Sequence, residues 1–341
     1  TTTAASSDIS LTNQVTGETL QLSNASATSN ANVGSYSITN LSGITISDEA
    51  GANASSGALA ANYTLTGGTH NFAINRKSVN ISGTREYDGT TNIAAADIST
   101  ITDTVNSEVL AMSGGLGTTS SANVGAYSLT DTSQGTLILA NGPSGANQGL
   151  ASNYTLTGGT QDYTITQRVL SSSGSKAYDA NTNALAADIT LSNLVSGETL
   201  NHSGTASISS ANAASYTITN LAGITLADNA GLASNYTLTG GTHNFTVNPK
   251  VISLSGSRLY DATTDAVASD LTTISGLVGS ETLNLSGTGS VTNANVASNK
   301  TVTLGTLALA DNSGLAANYT LSGGTHQLTI NQRPLAATVA R

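Results

Sequence analysis

Cysteine and tryptophan are absent from this chain of 341 residues, and only three prolines occur in it. Without cysteine the chain forms no disulfide and offers no thiolate to a metal. A small disulfide-stapled ectodomain is therefore excluded, whereas the cytosol or a bacterial secreted protein both fit. Charged residues are scarce as well, at 9%, where typical soluble proteins have roughly 25%.

Ten basic residues face twenty acidic ones, which gives a net charge of −10. We expect no nucleic-acid partner, because such a partner requires a basic surface. Apolar runs stay well short of the roughly 18 residues that a spanning helix needs, so no membrane span is predicted. No signal peptide is recognisable, but the sequence has the character of an excised segment, so that observation carries little weight.

One eight-residue stretch, Asn-Tyr-Thr-Leu-Thr-Gly-Gly-Thr, organises the chain. It begins at residues 62, 153 and 235, and a variant with serine in fifth place begins at residue 318, so that the copies lie 91, 82 and 83 residues apart. Four near-identical copies at near-constant spacing indicate one unit repeated in tandem.

In the copy at residues 235–242, Tyr236 and Leu238 alternate with threonines, which predicts one arm of a β-hairpin. Gly240 and Gly241 predict a tight type I′ turn. The alternation resumes at residues 243–247, which predicts the return arm. Nothing in the stretch is chemically reactive, so we interpret it as a folding motif.

Alignment of the copies predicts four modules and the start of a fifth. Their boundaries are 1–76 (module one, which lacks its first strand), 77–168, 169–249, 250–332, and 333–341 as the first strand of a fifth module. We refer to the first four stretches as copies one to four. Short strands between regular turn signals, with few helix formers, predict an all-β fold. We expect four tandem small β-sandwich-like or β-grasp-like modules in an elongated rod, because the joints are too short to act as flexible linkers.

Several motifs recur along the copies. They include Tyr-Asp-Gly-Thr-Thr at 87–91, Asn-Val-Gly-x-Tyr at 32–36, and the Asn-Tyr-Thr-Leu stretch, with Asn-Pro-Lys at 248–250 where copy three ends and copy four begins. Together they resemble the YDG/MBG-type repeat domains of large bacterial surface adhesins, filamentous-haemagglutinin-like proteins among them. The resemblance spans essentially the whole chain. It implies a secreted, surface-attached repeat region and carries over no catalytic residue.

Two departures from the pattern fall in copy four. Asn299 stands where the tyrosine of Asn-Val-Gly-x-Tyr is expected, and Leu328 stands where copy three has Phe245. These substitutions put the core packing of copy four in question.

The thirteen aromatic residues all occupy recurring positions, which predicts core or hairpin packing. A repeated shallow sugar site is the alternative. The residues are Tyr87, Tyr178 and Tyr260; Tyr36, Tyr127 and Tyr216; Tyr63, Tyr154, Tyr236 and Tyr319; and Phe72, Tyr163 and Phe245.

Three of the four histidines, His70, His243 and His326, are equivalent residues of different copies. Gln161 takes their place in copy two. Because they lie a whole module apart, they cannot share one metal ion. His202 replaces an apolar residue of the other copies, which indicates a core-facing position.

The acidic residues Asp88, Asp97 and Glu108 recur as a set in the complete copies. Asp followed by a small residue and threonine predicts a turn in which the carboxylate accepts a backbone N–H two residues on. The alternative is Ca²⁺ at the joints, but this ion needs six to eight gathered oxygens, and these residues are scattered.

The basic residues gather at the joints and on the first strands of the modules. Arg258 and Tyr260 lie two residues apart on one strand face, so a stack of guanidinium on ring is one expectation. A steering patch for an acidic partner is the other. The residues are Arg76, Lys77, Arg168, Lys250 and Arg333 at the joints, and Arg85, Lys176 and Arg258 on the strands.

We predict no catalytic, cofactor-binding or metal-binding residue and no enzyme activity, because no nucleophile motif or unique histidine constellation occurs. The expected function is that of a structural stalk in a bacterial cell-surface or secreted adhesin, projecting a tip or packing in a biofilm matrix. The alternatives are a multivalent weak glycan-binding array and a filament subunit assembled by β-strand exchange. Expected partners are neighbouring modules and further copies of the protein, end to end or side by side, in an extracellular location.

Overall fold

The computed structural model describes residues 3–27, 30–38, 40–48, 59–128, 133–218 and 220–338. The chain divides into two compact units, Thr1–Thr166 and Gln167–Arg341. Over the described residues, both units consist of β-strands, turns and three-residue 3-10 helices. The prediction of an all-β chain is confirmed, and the strands form many small sheets in place of one large one.

The first unit contains the following strands. They are β1 Thr3–Ala5, β2 Leu20–Ala27, β3 Gly34–Ser37, β4 Ile44–Asp48, β5 Asn71–Ile74, β6 Lys77–Ser78, β7 Asn80–Glu86, β8 Asn92–Ala94, β9 Ile98–Thr102, β10 Leu110–Gly114, β11 Leu116–Thr118, β12 Gly125–Ser128, β13 Ile138–Asn141, β14 Tyr154–Thr155 and β15 Gln161–Thr166. Its 3-10 helices are Ser6–Asp8, Ala60–Asn62, Ala95–Asp97, Val105–Ser107 and Ala151–Asn153.

The second unit is built from the same kinds of element. Its strands are β16 Arg168–Val169, β17 Ser171–Ala177, β18 Asn183–Leu185, β19 Ile189–Ser192, β20 Asn201–Ser207, β21 Ala214–Thr217, β22 Ile224–Ala227, β23 Tyr236–Thr237, β24 His243–Asn248, β25 Lys250–Val251, β26 Ser253–Leu259, β27 Asp265–Val267, β28 Thr273–Ser275, β29 Asn284–Ser286, β30 Thr288–Ser290, β31 Ala297–Thr301, β32 Ala308–Ala310, β33 Tyr319–Thr320 and β34 His326–Asn331. Its 3-10 helices are Ala186–Asp188, Ala233–Asn235, Ala268–Asp270 and Ala316–Asn318.

A four-stranded mixed sheet with one topology occurs three times, once in each of copies two, three and four. Its strand orders are β12-β15-β7-β9, β21-β24-β17-β19 and β31-β34-β26-β28. In each sheet the first and last long strands of a copy lie side by side and parallel. Each outer strand pairs antiparallel with its neighbour. Smaller antiparallel sheets such as β18-β20-β22 accompany them.

Alternate residues of the last long strand of copies two to four belong to the core. Strand β24 shows the period clearly, because His243, Phe245 and Val247 are buried while the residues between them are more exposed. This is the alternation that the sequence predicts for a sheet with one buried face. Leu328, the replacement for phenylalanine in copy four, is 0% exposed, so this substitution leaves the core closed.

Residues 235–248 do not form the predicted β-hairpin. Strand β23 pairs in parallel with β16, whereas β24 pairs with β17 and β21. The two predicted arms therefore bind different strands. Sequence alternation indicates that two segments are extended, but it does not say which strands they pair with.

The two glycines between these strands have different structural roles. Gly240 has a φ of +88°, which glycine adopts without strain. Gly241 has no positive φ, but a Cβ atom there would lie 1.8 Å from the backbone oxygen of Leu170. The second glycine is thus required for the close approach of Leu170, the residue just before β17. The predicted I′ turn with two positive φ angles is wrong.

Asn299, the second departure in copy four, forms a β-bulge. Its φ is +53°, and the register of β31 against β34 shifts between Ala297 and Lys300. The bulge moves Lys300 into the place of the missing tyrosine, where its Nζ atom donates to the backbone oxygen of Asn295 at 3.0 Å. In copies one to three the tyrosine hydroxyl makes this same bond.

The segment after β34 belongs to no sheet over its described residues. Residues 332–338 form no strand and are exposed, and Leu335 is 96% exposed. Residues 339–341 of the predicted fifth-module strand lie outside the described part of the chain, as does most of the variable loop at 48–61. The module boundaries stay a prediction.

Candidate functional site at the junctions between copies

Each copy contains a part-buried pair between a tyrosine and a glutamate. The tyrosine of Asn-Tyr-Thr-Leu donates its hydroxyl hydrogen to the glutamate of the Gly-Glu-Thr-Leu motif or of its variant. The pairs are Tyr63 with Glu18, Tyr154 with Glu108 at 2.7 Å, Tyr236 with Glu198 at 2.5 Å, and Tyr319 with Glu281 at 2.6 Å. In copies two to four the ring is buried, and the glutamate gives its hydroxyl group a hydrogen-bond acceptor.

The same hydroxyl oxygen also accepts a backbone N–H. Val195 donates to the Tyr236 hydroxyl at 3.1 Å, and Val278 donates to that of Tyr319 at 3.0 Å. Burial first, and then the neighbouring Glu198, raises the pKa of Tyr236 to about 12. Burial and Glu281 likewise raise the pKa of Tyr319. These tyrosines therefore stay protonated donors at neutral pH and act as structural crosslinks.

The asparagine before this tyrosine joins one copy to the copy before it. In the first unit, Asn153 accepts the Val33 N–H at 2.9 Å and donates to the Asn32 side chain at 2.9 Å. Asn32 and Val33 open the Asn-Val-Gly-x-Tyr motif of copy one, so an asparagine of copy two binds the preceding repeat with both ends of its amide.

The second unit contains the same junction between copies three and four. Asn318 accepts the Ala213 N–H at 2.8 Å and donates to the Asn212 side chain at 3.0 Å. Asn318 is 1% exposed, so these bonds are shielded from water. Buried amides must find partners, and here the partners belong to the neighbouring repeat.

The loop that carries the partner of the junction asparagine, Asn32 or Asn212, is held by the tyrosine of its own Asn-Val-Gly-x-Tyr motif or of its equivalent. Tyr36 donates to the Asn32 backbone oxygen at 2.8 Å, and Tyr216 donates to that of Asn212 at 2.6 Å. Because hydroxyl and asparagine are four residues apart, the loop closes on itself. These half-buried tyrosines therefore position the junction loop.

A second set of contacts in the second unit links the Tyr-Asp motif of copy three to copy four. The Tyr178 hydroxyl donates to Glu281 at 2.7 Å, so this carboxylate accepts from two tyrosines of different copies. The Tyr178 and Tyr319 rings meet edge to face with centroids 5.4 Å apart. Such a pair adds about 0.5–1.5 kcal/mol beyond the area it buries. Tyr260, the equivalent residue of copy four, is 38% exposed.

The Asp after this tyrosine forms the predicted turn in all three places. Asp88, Asp179 and Asp261 accept the backbone N–H two residues on at 2.8, 3.1 and 3.0 Å. Each also pairs with the basic residue three positions before it, namely Arg85, Lys176 or Arg258. Thr263 first, and then Arg258, lowers the pKa of Asp261.

This turn binds the basic residues of the strands, for which the sequence leaves two expectations. The Arg258 guanidinium binds Asp261 and the Thr263 backbone oxygen, so its hydrogen bonds go to the turn. Side chains of Arg85, Lys176 and Arg258 are only 7–9% exposed, which leaves little charge for a steering patch. At the joint, Lys77 pairs with Asp103 at 2.7 Å.

The equivalent histidines serve the fold. The Nε2 atoms of His243 and His326 each lie 2.8 Å from a backbone oxygen five residues earlier, Leu238 or Leu321. In copy two the Gln161 amide makes this bond to Leu156 at 2.8 Å. Because glutamine makes the same bond in copy two, we interpret the histidines as hydrogen-bond donors that stabilise the fold.

The recurring acidic residues accept hydrogen bonds from the backbone at short helices or from tyrosine hydroxyls. Asp97 accepts the Ala94 N–H at 2.9 Å at the 3-10 helix it ends, and Glu108 accepts from Tyr154. In the described part of the chain no three His, Asp or Glu side chains gather in a metal-binding group. Nor does any helix among the described residues have the length and apolarity to cross a membrane.

Sequence reasoning foresaw the Asp turn but missed the tyrosine–glutamate pair and the junction asparagine. Glu108 and Tyr154 are 46 residues apart, and Glu198 and Tyr236 are 38 apart. This variable separation concealed the pair. One signal in the sequence could have revealed it: the glutamate of Gly-Glu-Thr-Leu and the tyrosine of Asn-Tyr-Thr-Leu recur in the copies together, although a strand does not require either residue.

Two consecutive stretches of the chain match a family model described as the YDG domain, at residues 163–245 and 245–327. They begin in β15, continue through copies three and four, and span just under half of the chain. No curated protein matches the chain.

This match corrects the resemblance drawn from the motifs. The matching model is the YDG domain alone, in two copies, and MBG-type repeats of filamentous-haemagglutinin-like adhesins are not what it describes. The assignment to that adhesin family is wrong. In its place stands a similarity to the YDG domain over residues 163–327.

Proposed function

We propose that this chain is a structural repeat region, in which four tandem β-sandwich-like modules form an elongated stalk. The stalk belongs to a cell-surface or secreted adhesive protein, lies outside the cell, and holds a binding part at a distance. It has no catalytic role. Its partners are neighbouring modules and further copies of the same protein.

The observation that carries this proposal is the junction asparagine. In each unit, one side chain of the Asn-Tyr-Thr-Leu motif binds the preceding copy through both its amide oxygen and its amide nitrogen. Two bonds of fixed direction hold two bodies in one orientation, which a spacer needs and a hinge does not. The motif that recurs most faithfully in the sequence thus makes contacts between copies.

The surface chemistry gives further support. Serine, threonine and asparagine fill positions that charged residues hold in most soluble proteins, and charged residues are 9% of the chain. Such a surface stays hydrated without depending on the ionic strength of the medium. Tyr154, Tyr163, Tyr236 and Phe245 are buried, which gives the glycan-array alternative little aromatic surface to use.

The test compares a junction variant with a matched control. Asn318→Ala removes both bonds to copy three and leaves buried partners unpaired, at a cost of about 1–3 kcal/mol. Asn62→Ala changes the equivalent residue of copy one, which is exposed. Chemical unfolding of the full chain should show Asn318→Ala broadening or splitting the transition of the second unit while Asn62→Ala leaves it unchanged.

Small-angle scattering then tests the stalk itself. The parent chain should have a maximum dimension well above that of a sphere of 33.9 kDa. A compact scattering profile, or equal effects of the two variants, would count against the proposal. Specific binding on a glycan array would favour the alternative function.

A further inference from the structure

The Asp turn of copy three differs from those of copies two and four at two positions. Copies two and four have an arginine three residues before the Asp and a threonine two residues after it. These residues are Arg85 with Thr90 and Arg258 with Thr263. Copy three has Lys176 and Asn181 in their places. Arginine and threonine side chains do not condense with each other, whereas a primary amine and a carboxamide can form a new amide and release ammonia. Of the three turns, the one in copy three therefore contains a reactive pair.

The lysine and the asparagine keep the contacts of the turn and add a new one. Lys176 Nζ donates to the Asn181 backbone oxygen at 2.8 Å. In copy four, Arg258 makes the equivalent bond to Thr263 at 2.7 Å. Lys176 Nζ also donates to the side-chain oxygen Oδ1 of Asn181 at 2.8 Å, a contact for which threonine has no atom. The amine and the carboxamide of copy three are therefore in direct contact.

The carboxylate of Asp179 joins the two groups. Its Oδ1 atom lies 2.8 Å from Lys176 Nζ, and its Oδ2 atom accepts from Asn181 Nδ2 at 2.7 Å. One carboxylate thus contacts both the nitrogen that would attack the carboxamide and the nitrogen that would leave it. A group in this place can take protons from the first nitrogen and give them to the second.

Two further features favour attack on this carboxamide. The Asn183 N–H donates to Asn181 Oδ1 at 2.9 Å, so a backbone donor faces the oxygen on which negative charge would develop. The Lys176 side chain is only 9% exposed, and lysines act as nucleophiles where water is excluded from them. Because the turn holds the amine against the carboxamide, the reaction needs no chance encounter.

We propose that Lys176 and Asn181 form an intramolecular amide crosslink, with Asp179 as the proton carrier. Lys176 gives a proton to Asp179, and its neutral Nζ atom then attacks Cγ of Asn181. The Nζ–Cγ bond forms and the Cγ–Nδ2 bond breaks. Of the three protons of the lysine ammonium group, one stays on the new amide and two pass through Asp179 to Nδ2. Nδ2 leaves as an ammonium ion, and Asp179 returns to its carboxylate form.

The reaction is slow and runs in one direction. Burial opposes the charge on Asp179, but Lys176 and the Asn181 N–H outweigh it and lower the pKa of this carboxyl. The resting pair is therefore ionic, and the neutral pair that reacts is a minor state. Because the ammonium ion is lost to the solvent, each crosslink persists once it has formed. The event occurs once in each chain, and the inference holds whether or not the chain serves as a stalk.

The test is the intact mass of the purified full chain, measured after prolonged incubation at mildly alkaline pH, where more of a lysine amine is neutral. We expect a mass that is lower than the sequence mass by one molecule of ammonia. In a tryptic digest, cleavage after Lys176 should be lost, because its amine is part of an amide, and fragmentation should place the crosslink between Lys176 and Asn181. A mass equal to the sequence mass, with normal cleavage after Lys176, would overturn the proposal.

Three variants separate the crosslink from other losses of ammonia. Lys176→Arg and Asn181→Thr introduce the residues of copies two and four, so both keep the turn, and each should retain its full sequence mass. Asp179→Asn removes the proton carrier and should slow the reaction about a hundredfold or more, as the loss of a positioned proton-transfer group does. Loss of ammonia that persists in Lys176→Arg would identify cyclisation of Asn181 onto its own backbone and would refute the crosslink.

Discussion

At the scale of single residues, the fold depends on polar atoms that the core cannot leave unpaired. The Tyr236 hydroxyl both donates to Glu198 and accepts from Val195, so the ring is buried with no unmet hydrogen bond. A buried polar group without its partner costs about 1–3 kcal/mol. The pair therefore fixes the loop that carries Glu198 against the strand that carries Tyr236.

Tyr236→Phe should lower the free energy of unfolding of the second unit by about 1–3 kcal/mol, because Glu198 and the Val195 N–H lose their partner. Tyr236→Ala should lower it by about 3–5 kcal/mol, because it also empties a core site. Urea unfolding measures both. A phenylalanine variant as stable as the parent would mean that the hydroxyl contributes nothing.

Alkaline pH provides a second test of this residue. The pKa of Tyr236 is raised in the folded chain to about 12, above its usual value near 10. The pair's contribution is therefore fully present below pH 10 and is lost as pH rises from about 10 to about 12. Unfolding curves measured across this range should converge for the parent and Tyr236→Phe. Parallel curves would contradict the assignment.

The Asp turn contains an alanine in two of the three copies, and its backbone conformation is unfavourable for alanine. Ala180 and Ala262 have φ angles of +62° and +68°, in the left-handed region that favours glycine, and Gly89 occupies the same place in copy two. Ala262→Gly should stabilise the second unit by about 0.5–1 kcal/mol, because the left-handed conformation costs a non-glycine residue about 1–2 kcal/mol and glycine gives part of that back in entropy. Gly89→Ala is the reciprocal control and should destabilise the first unit. Thermal unfolding that moves both in one direction would exclude this cause.

At the scale of elements, close approach of backbones decides where strands lie. Gly241→Ala should destabilise the second unit by up to about 3 kcal/mol, because its Cβ meets the Leu170 oxygen. Gly240→Ala should cost about 1–2 kcal/mol, since its site is open and only the positive φ opposes it. Equilibrium unfolding of the two neighbouring variants makes the comparison. A larger loss at Gly240 would mean that the turn, and not the strand contact, determines stability.

How far the sequence predicts these elements depends on the range of the interaction. Local features were predictable: the alternation of β24, and the Asp turn at 88–90, whose bond spans two residues. Pairing between strands was not, because β17 and β24 lie about seventy residues apart and period-2 patterns name no partner. The β-bulge at Asn299, which moves Lys300 into the place of the tyrosine, could not be predicted either. In the sequence alone, Asn299 indicates only that the tyrosine is missing.

The candidate site was hidden from the sequence for a related reason. An asparagine in Asn-Tyr-Thr-Leu looks like an ordinary turn residue. Its partners, Asn212 and Ala213, are more than a hundred residues before Asn318. Only the constancy of the motif hinted at a contact that each copy makes in the same way.

At the scale of the whole molecule, we expect stability to be indifferent to calcium. The recurring acids are occupied by capping and by tyrosine hydroxyls, and a bound ion would raise the melting temperature according to its affinity. Melting temperatures in millimolar Ca²⁺ and millimolar Mg²⁺ should agree. A rise specific to Ca²⁺ would place carboxylate-bound ions in the structure.

The parallel pairing of first and last strands has a mechanical consequence. When one of copies two to four is pulled at its two ends, the force enters through one central strand and leaves through the other. Because these two strands are parallel, the pull acts on opposite ends of the pair. The strands must slide past each other, so the ladder from Ser172–His243 to Ala177–Asn248 bears the force along its whole length at once. Resistance to pulling is governed by the rate of unfolding and not by equilibrium stability. Sheets of this kind suit a tether that is stretched abruptly and must hold until the load has passed.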